Sequence, residues 1–218
     1  MRIATWNLEQ RWSDAHAEVL RGLDADLLLL TECRDDVVLA QWARHATAAS
    51  MPSGAAWAAV LSRAPLTPLP DPHPASAAAL VHGVTVCCSV LPWPRAGEHW
   101  PWGASGHQER MEETLAALAP TLAAEAGVWG GDWNQPLTGS LAGFTRAARE
   151  ALETALATHG LQAPTAALPG THPGQGSIDH VAVPIGWEVS GAGRVEVPRA
   201  LSDHHACWIE VDPAPALP

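Results

Sequence analysis

The apolar residues near the start of the chain form two short uninterrupted runs with a helical spacing between them. Residues 2–8 (RIATWNL) and 24–33 (DADLLLLTEC) predict β-strands, and the second run is apolar enough to be buried on both faces. Between them, residues 13–22 predict a helix that Ser13 caps and Gly22 ends. The pattern predicts a strand, helix, strand unit but leaves the relative direction of its strands open.

Strand and helix patterns continue to alternate along the rest of the chain. Further strands are predicted at residues 56–61, 77–81, 84–91, 127–131, 177–183, 187–195 and 206–211, and further helices at 35–44, 108–124 and 144–159. His82 and Gly83 predict a hairpin turn between two of these strands. Segments rich in turn-forming residues predict loops at 64–74, 93–106 and 163–176, the last of which carries His172.

The length and composition favour one α/β domain. A chain of 218 residues with 47% hydrophobic residues can bury one sizeable core. We place the domain at residues 1–212 and a frayed Pro-rich tail at 213–218. The start of the chain lacks a signal-peptide pattern, and no run approaches the about 18 apolar residues that span a bilayer. We therefore expect a cytoplasmic monomer.

The charge of the chain restricts the partners that it can attract. Its net charge is −11, with 12 basic residues, all of them Arg, against 23 acidic residues. Such a surface repels a nucleic-acid backbone at long range, which disfavours non-specific binding to duplex DNA. The four Cys residues have no CxxC or paired zinc-ligand spacing and favour reduced thiols in the core.

Polar side chains suited to catalysis stand where the predicted apolar strands stop. They are Asn7, Glu32, Asp132 with Asn134, Asp179, and Asp203 with His204. In open α/β sheets, groups at strand ends converge on one rim, where ligands bind. Asn7 and Asn134 are the only Asn residues in a chain whose composition suggests a GC-rich genome, so both positions are expected to be chemically required.

The chemical types of these residues predict a site for a hard divalent cation. Glu32, Asp203 and an Asn carbonyl suit Mg²⁺ or Mn²⁺, whereas zinc would prefer Cys or several His at short spacing. A divalent cation beside an Asp and a His suits phosphoryl transfer, which needs charge neutralisation and an activated water.

The motifs TWN, LLTE, GDWN, SIDH and SDHH occur in this order between Asn7 and His205. In this series the chain resembles the endonuclease/exonuclease/phosphatase family. The resemblance implies a four-layer α/β/β/α sandwich of two packed mixed β-sheets flanked by helices. It also implies Mg²⁺-dependent hydrolysis of a phosphodiester or phosphomonoester, with Mn²⁺ as an alternative ion.

The resemblance implies a role for each site residue. Glu32 would be the principal metal ligand, Asn7 would hold metal-bound water or the ligand carboxylate, and Asp203 would be a second metal or metal-water ligand. The four residues implied in catalysis have distinct tasks: Asp132 orients or deprotonates the attacking water, Asn134 hydrogen-bonds the phosphate oxygens, His204 contacts the scissile phosphate, and Asp179 orients His204.

The chain departs from the family pattern at one position. Relatives usually carry a His or Tyr at the end of the strand before the central loop, where this chain has Leu91, Pro92 or Trp93. Arg110 is the first candidate for the missing phosphate contact, with His107 and His99 as alternatives. We expect Trp93 to border the site, together with Trp100 and Trp102. His180 and His205 are expected to serve packing rather than catalysis.

Two other functional classes remain open at this stage. One is a catalytically silent protein that binds a phosphorylated ligand, which the missing His or Tyr would favour. The other is a hydrolase in which His204 and Asp179 activate Ser202 or Ser177, although neither Ser lies in a GxSxG motif. The substrate also stays open among DNA, RNA, a nucleotide, an inositol phosphate and a lipid headgroup, as do endo or exo cleavage and the number of metal ions.

Overall fold

The chain folds into twelve strands and three α-helices, as seen in a computed structural model that describes residues 1–97, 100, 102, 106–124 and 127–213. The strands are β1 (Arg2–Asn7), β2 (Leu27–Cys33), β3 (Ala43–Ala46), β4 (Ala56–Ser62), β5 (Leu66–Pro68), β6 (Ser76–Val81), β7 (Val84–Val90), β8 (Gly127–Asp132), β9 (Leu161–Gln162), β10 (Asp179–Pro184), β11 (Glu188–Val195) and β12 (Ala206–Asp212). The helices are α1 (Asp14–Gly22), α2 (His107–Leu122) and α3 (Arg146–Thr158).

The strands form two mixed six-stranded sheets. The strand order is β11-β12-β1-β2-β4-β3 in the first sheet and β5-β6-β7-β8-β10-β9 in the second. Each sheet has one parallel pair near its centre, β1 with β2 and β7 with β8, and antiparallel pairs elsewhere. The strand, helix, strand unit predicted at the start of the chain is therefore a parallel one.

Alternating side chains of the strands build three apolar layers. Leu29 of β2 packs inward with Val86 and Val181 of the other sheet, in a core that fills the space between the sheets. Leu28 and Leu30 face the opposite side and pack with residues of α1. A third cluster joins the outer face of the second sheet to α2 and α3. These layers confirm the four-layer α/β/β/α sandwich.

Two glycines allow the close strand packing at the end of β8. A Cβ on Gly131, which has a φ of 128°, would overlap the backbone of Ser89 on β7. A Cβ on Gly130 would lie 2.6 Å from the carbonyl oxygen of His180 on β10. The Gly-Gly pair therefore lets β8 fit between its neighbours, with Asp132 at its end paired in register with Asp179.

The predicted helix at residues 35–44 is wrong. The chain there makes turns and then enters β3, whose backbone pairs with β4 at the edge of the first sheet. Val37 and Leu39 are still buried, but in the cluster that also contains α1, and they reach it without helical structure. The predicted loop at 64–74 also contains the short strand β5, which pairs with β6. Residues 214–218 of the predicted tail lie outside the described residues.

None of the helices in the described part of the chain has the length and apolar character required to cross a membrane.

Candidate active site

One rim of the sandwich collects the polar strand ends from both sheets. Asn7 lies at the end of β1, and its Nδ2 donates to Glu32 Oε1 on β2 at 3.1 Å and to Asp132 Oδ2 on β8 at 3.0 Å. Its Oδ1 accepts the backbone N–H of Glu9 at 2.8 Å, which fixes the orientation of the amide. One buried amide thus connects a carboxylate of the first sheet to a carboxylate of the second.

The backbone around the rim adopts unusual conformations. Gln10, Glu32 and Asn134 all have φ values between 50° and 56°, in the left-handed region that residues other than Gly seldom occupy. The Gln10 side chain donates to Glu32 Oε2 at 2.9 Å, so both oxygens of the Glu32 carboxylate have partners. Strained residues held by such contacts cluster at functional sites in proteins.

Asp132 is held by groups on both sides of it. Its Oδ1 accepts the backbone N–H of Asn134 at 3.0 Å, and its Oδ2 accepts from Asn7. Asn134 Nδ2 donates to the carbonyl oxygen of Leu91 at 3.1 Å. Burial and the neighbouring Asp179 carboxylate raise the pKa of Asp132. The site therefore favours a positive charge or a proton close to this carboxylate.

A buried His–Asp pair lies next to Asp132. His204 Nδ1 donates to Asp179 Oδ2 at 2.8 Å, and Asp179 is fully buried. The backbone N–H of Asp179 donates to Thr171 Oγ1, and that of His204 donates to Ser202 Oγ. Burial disfavours a charged ring at His204, but Asp179, Asp132 and Asp203 outweigh it and raise the pKa of His204. With Nδ1 engaged, Nε2 is the atom available to a ligand.

Asp203 is a partly exposed carboxylate at the edge of the group, and its surroundings include residues that the sequence did not identify. Its Oδ2 lies 3.5 Å from His172 Nε2, and its backbone N–H donates to Glu9 Oε2 at 2.9 Å. The His172 imidazole, with further contributions from His204 and Arg199, lowers the pKa of Asp203 to about 2. Asp203 is therefore ionised throughout the range in which most proteins are stable.

Two clefts open on the rim, and Trp93 lines both. The Glu32 cleft is lined by Trp93, Trp57, Met51, Gln10 and Glu32. The His204 cleft is lined by Trp93, Arg95, Asn134, Phe144, His172 and His204. Trp93 is therefore a lining residue that the two clefts share.

The structure brings together all the strand-end residues predicted from the sequence: Asn7, Glu32, Asp132, Asn134, Asp179, Asp203 and His204. Trp93 lies at the rim, as expected, whereas Trp100 is buried against Trp57 and His73. Arg110 lies on α2 with 6% of its surface exposed and is not among the described residues that line the two clefts. Arg95 lines the His204 cleft, and His99 lies outside the described residues.

Four other residues considered in the sequence analysis make structural contacts: Leu91, His107, His180 and His205. Leu91 is fully buried, and its carbonyl oxygen holds Asn134. His107 Nε2 donates to the carbonyl oxygen of Pro92 at 3.0 Å. His180 is fully buried, and His205 accepts the backbone N–H of Val197, so both have the contacts expected of packing residues.

Neither Ser of the alternative hydrolase is arranged as a nucleophile. Ser202 Oγ donates to the carbonyl oxygen of Asn7 at 2.7 Å, and Ser177 Oγ donates to the carbonyl oxygen of Asp179 at 3.2 Å. Because each hydroxyl proton is directed to a backbone oxygen, neither is directed to the His204 ring. The geometry does not support a Ser nucleophile activated by His204.

The contacts of Glu9, Gln10 and His172 could be foreseen only in part. Glu9 and Gln10 lie two and three residues after Asn7, and this position next to a strand end indicates that their side chains can reach the site. Glu9 receives hydrogen bonds from Arg11 and Arg199 as well as from Asp203. His172 lies in a predicted loop, where no periodic pattern indicates which way a side chain points.

Solved structures with this architecture define the class of fold. The endonuclease/exonuclease/phosphatase from Beutenbergia cavernae is 19% identical, with 97% of this chain and 71% of the other covered and a TM-score of 0.67. The endonuclease/exonuclease/phosphatase from Bacteroides vulgatus is 14% identical, with coverages of 97% and 98% and a TM-score of 0.68. The endonuclease domain of TRAS1, a telomere-specific non-LTR retrotransposon, is 16% identical, with coverages of 96% and 97% and a TM-score of 0.63.

The sequence model of the Endonuclease/Exonuclease/phosphatase family matches residues 4–204, which include every strand-end residue of the rim. The chain therefore belongs to the endonuclease/exonuclease/phosphatase family, whose members are in general hydrolytic nucleases and phosphatases. Among proteins with curated functions, none is significantly similar to this chain in sequence.

Proposed function

We propose that the protein is a phosphoesterase that uses Mg²⁺, or Mn²⁺, to hydrolyse a phosphodiester or phosphomonoester by in-line attack of water. The observation that carries this proposal is the Asn7 amide, which joins Glu32 to Asp132 beside the His204–Asp179 pair. The donor set fits a hard cation, since Glu32 and Asp203 offer carboxylate oxygens, and the side chains that hydrogen-bond to Glu32 among the described residues are the amides of Asn7 and Gln10. Glu32 and Asp203 would hold the ion, with Asn7 orienting the Glu32 carboxylate through Nδ2.

The chain's own residues divide the remaining tasks. The bound ion would neutralise phosphate charge and make water more acidic. Asp132, held through both oxygens, would orient the attacking water and accept its proton. Asn134 directs one Nδ2 proton to Leu91, which leaves the second for a phosphate oxygen. His204, charged and held by Asp179, would donate from Nε2 to the scissile phosphate.

The substrate that the site supports best is a small phosphorylated molecule or a short single strand. Trp93 lines both clefts and offers a ring against which a base or another flat group can stack. Arg95 adds an arginine to the His204 cleft, whereas the net charge of −11 opposes a long polyanion. This combination disfavours non-specific duplex DNA.

Hydrolysis assays with synthetic esters test the reaction. We expect bis-p-nitrophenyl phosphate or p-nitrophenyl phosphate to be cleaved with Mg²⁺ or Mn²⁺ and not after chelation. Asp132→Ala and His204→Ala should each lower kcat by at least about 100-fold. His82→Asn, which changes an exposed His in the β6–β7 hairpin, should leave the rate unchanged. Equal rates in wild type, D132A and H204A would instead favour a catalytically silent phosphate-binding protein.

A substrate panel then separates the reaction from its biological target. The same metal-dependent assay should compare supercoiled DNA, single-stranded DNA, RNA, nucleotides and inositol phosphates. We expect the nucleotides, the inositol phosphates or the single strands to be cleaved faster than supercoiled DNA. Preference for supercoiled DNA would contradict the assignment of substrate class while leaving the reaction intact.

A further inference from the structure

His172 has no role in the reaction proposed above, yet it completes a second group of metal-type ligands. Its ring lies edge-on against His204, with centroids 5.0 Å apart, and both rings line the His204 cleft. Asp203 lies beside both, with Oδ2 3.5 Å from His172 Nε2 and Oδ1 3.9 Å from His204 Nε2. One potential ligand atom from each of the three residues lies within 4.8 Å of the others.

We propose that His172, Asp203 and His204 form a binding site for a transition-metal ion of the Zn²⁺ class. This site shares Asp203 with the proposed Mg²⁺ site but takes its other ligands from two imidazoles instead of Glu32. This site does not depend on the proposed hydrolysis, since it can bind an ion whether or not the protein cleaves a phosphoester.

The separations between the three side chains suit such an ion. In a tetrahedral zinc site with bonds of about 2.0 Å, neighbouring ligand atoms are about 3.3 Å apart. The distances of 3.5 and 3.9 Å reach different oxygens of Asp203, but one ligand atom from each residue lies within 4.8 Å of the others. An inward movement of at most about 1.5 Å would therefore bring the three atoms to the tetrahedral spacing. His172 lies on a loop and its side chain is 28% exposed, so its ring can make that movement without disturbing a core.

The His204 ring is already oriented as a metal ligand. Asp179 accepts from Nδ1, so the Nε2 atom is presented to the cleft. Metal-binding imidazoles commonly donate their other N–H to a carboxylate, which fixes the ring and strengthens the ligand. The same contact that prepares His204 to face phosphate thus prepares it to hold a cation.

The ligand types distinguish this site from the Glu32 site. Two imidazoles and one carboxylate favour Zn²⁺, Co²⁺ or Ni²⁺, whereas Mg²⁺ prefers oxygen ligands and retains its water. The cleft continues beyond His204 to Asn134 and Arg95, so one coordination position would face the place proposed for phosphate. An ion there would displace the Nε2 proton of His204 to solvent and would replace that N–H as the positive contact to the phosphoryl group.

Metal binding measured on the full-length, metal-free protein tests the proposal without reference to activity. Zn²⁺ is titrated by equilibrium dialysis, and Co²⁺ by its visible absorption, in the presence of excess Mg²⁺. We expect one equivalent of Zn²⁺ in wild type and at least about 100-fold weaker binding in His172→Phe and His172→Asn, which lose a direct ligand. Asp179→Asn should weaken binding by about 10-fold to 100-fold.

Matched variants distinguish this site from the Glu32 site and from a surface imidazole. Glu32→Gln should keep the Zn²⁺ equivalent even where hydrolysis is lost, which separates this proposal from the proposed function. His82→Asn removes an exposed His away from the rim and should bind as wild type does. Circular dichroism and thermal unfolding confirm that H172F and H172N are folded. Unchanged Zn²⁺ binding in both folded His172 variants, or its loss in E32Q, would overturn the site.

Discussion

At the scale of single residues, the rim depends on side chains that hold other side chains. Asn7 spaces two carboxylates that would otherwise repel each other, and Gln10 engages the second oxygen of Glu32. Asp179 acts in the same way on His204, from a fully buried position in register with Asp132. These contacts fix the orientation of other side chains and do not fill space in the core. Their loss should therefore affect the reaction more than the fold.

Asp179→Asn tests this at the His–Asp pair. The amide removes the charge that stabilises the imidazolium and can direct its own N–H to His204, which favours the wrong tautomer. We expect kcat to fall by about 100-fold to 10,000-fold, with a smaller effect on KM, in Mg²⁺-dependent hydrolysis of a p-nitrophenyl ester.

A second His–Asp pair supplies the control for that substitution. His45 Nε2 lies 3.1 Å from Asp71 Oδ1, and neither residue is among those that line the two clefts. Asp71→Asn removes the same charge from the same kind of pair, and we expect it to leave kcat unchanged. A D179N enzyme as active as wild type would remove the pair from the mechanism.

At the scale of elements, the strand ends were predictable because polar residues interrupt strongly apolar runs. Glu32 follows four Leu residues and a Thr, and Asp132 follows a short apolar strand, so both positions required a local reason for charge. The 35–44 segment was not predictable in this way. Its apolar residues have a spacing compatible with a helix, but residues 35–42 make turns and coil, and Ala43 and Arg44 pair with the edge of β4, the next strand along the chain.

The loop residues of the site show a second limit of sequence analysis. His172 and Arg95 lie in segments without periodicity, so the cleft that they face depends on contacts between distant loops. Arg110 was chosen from a resemblance in sequence position, but its helix turns it toward buried surroundings. The sheet determines which way the side chains at strand ends point, so the sequence predicts them. The direction of side chains on loops and helices depends on how these elements pack, which the sequence does not show.

Gly131→Ala tests the packing of β8 between β7 and β10. The Ala Cβ would overlap the Ser89 backbone, and the φ of 128° is unfavourable for any L residue. We expect a loss of about 4 kcal/mol or more in the free energy of unfolding, or failure to fold, measured by urea denaturation.

Gly139→Ala separates the two causes. Gly139 also has a positive φ, of 72°, but a Cβ there meets no atom within 4 Å. Its substitution therefore carries the conformational cost alone, about 1 kcal/mol. If G131A proved as mild as G139A, the close approach of β7 and β8 would not limit the stability of the rim.

At the scale of the whole molecule, two buried His rings link stability to pH. Burial lowers the pKa of both His73 and His180 to about 4, from an ordinary value of 6.5. His180 Nε2 donates to the carbonyl oxygen of Gln135, and His73 Nδ1 accepts the backbone N–H of Ala75. A second proton on His73 would break the contact to Ala75, so the folded state keeps this ring neutral.

The sign of the pH effect follows from the proton count. Between pH 6.5 and 4 the unfolded chain binds a proton at each ring and the folded chain does not, so acidification favours unfolding in that window. For the fully buried His180 the loss is about 3 kcal/mol across the window, and it is smaller for His73. Above pH 6.5 the contribution is constant, because both states are neutral.

Urea unfolding of wild type, His180→Gln and His73→Gln across that window measures the effect. Asp132, whose raised pKa contributes with the opposite sign at nearby pH, is present in all three proteins, so the difference between wild type and each variant isolates one ring. We expect each substitution to flatten the decline in stability between pH 6.5 and 4, and His82→Gln, at an exposed position, to leave it unchanged. If stability fell equally with pH in wild type and H180Q, the His180 ring would bind its proton over the same pH range in the folded and the unfolded protein. That result would contradict a neutral ring packed against Trp133.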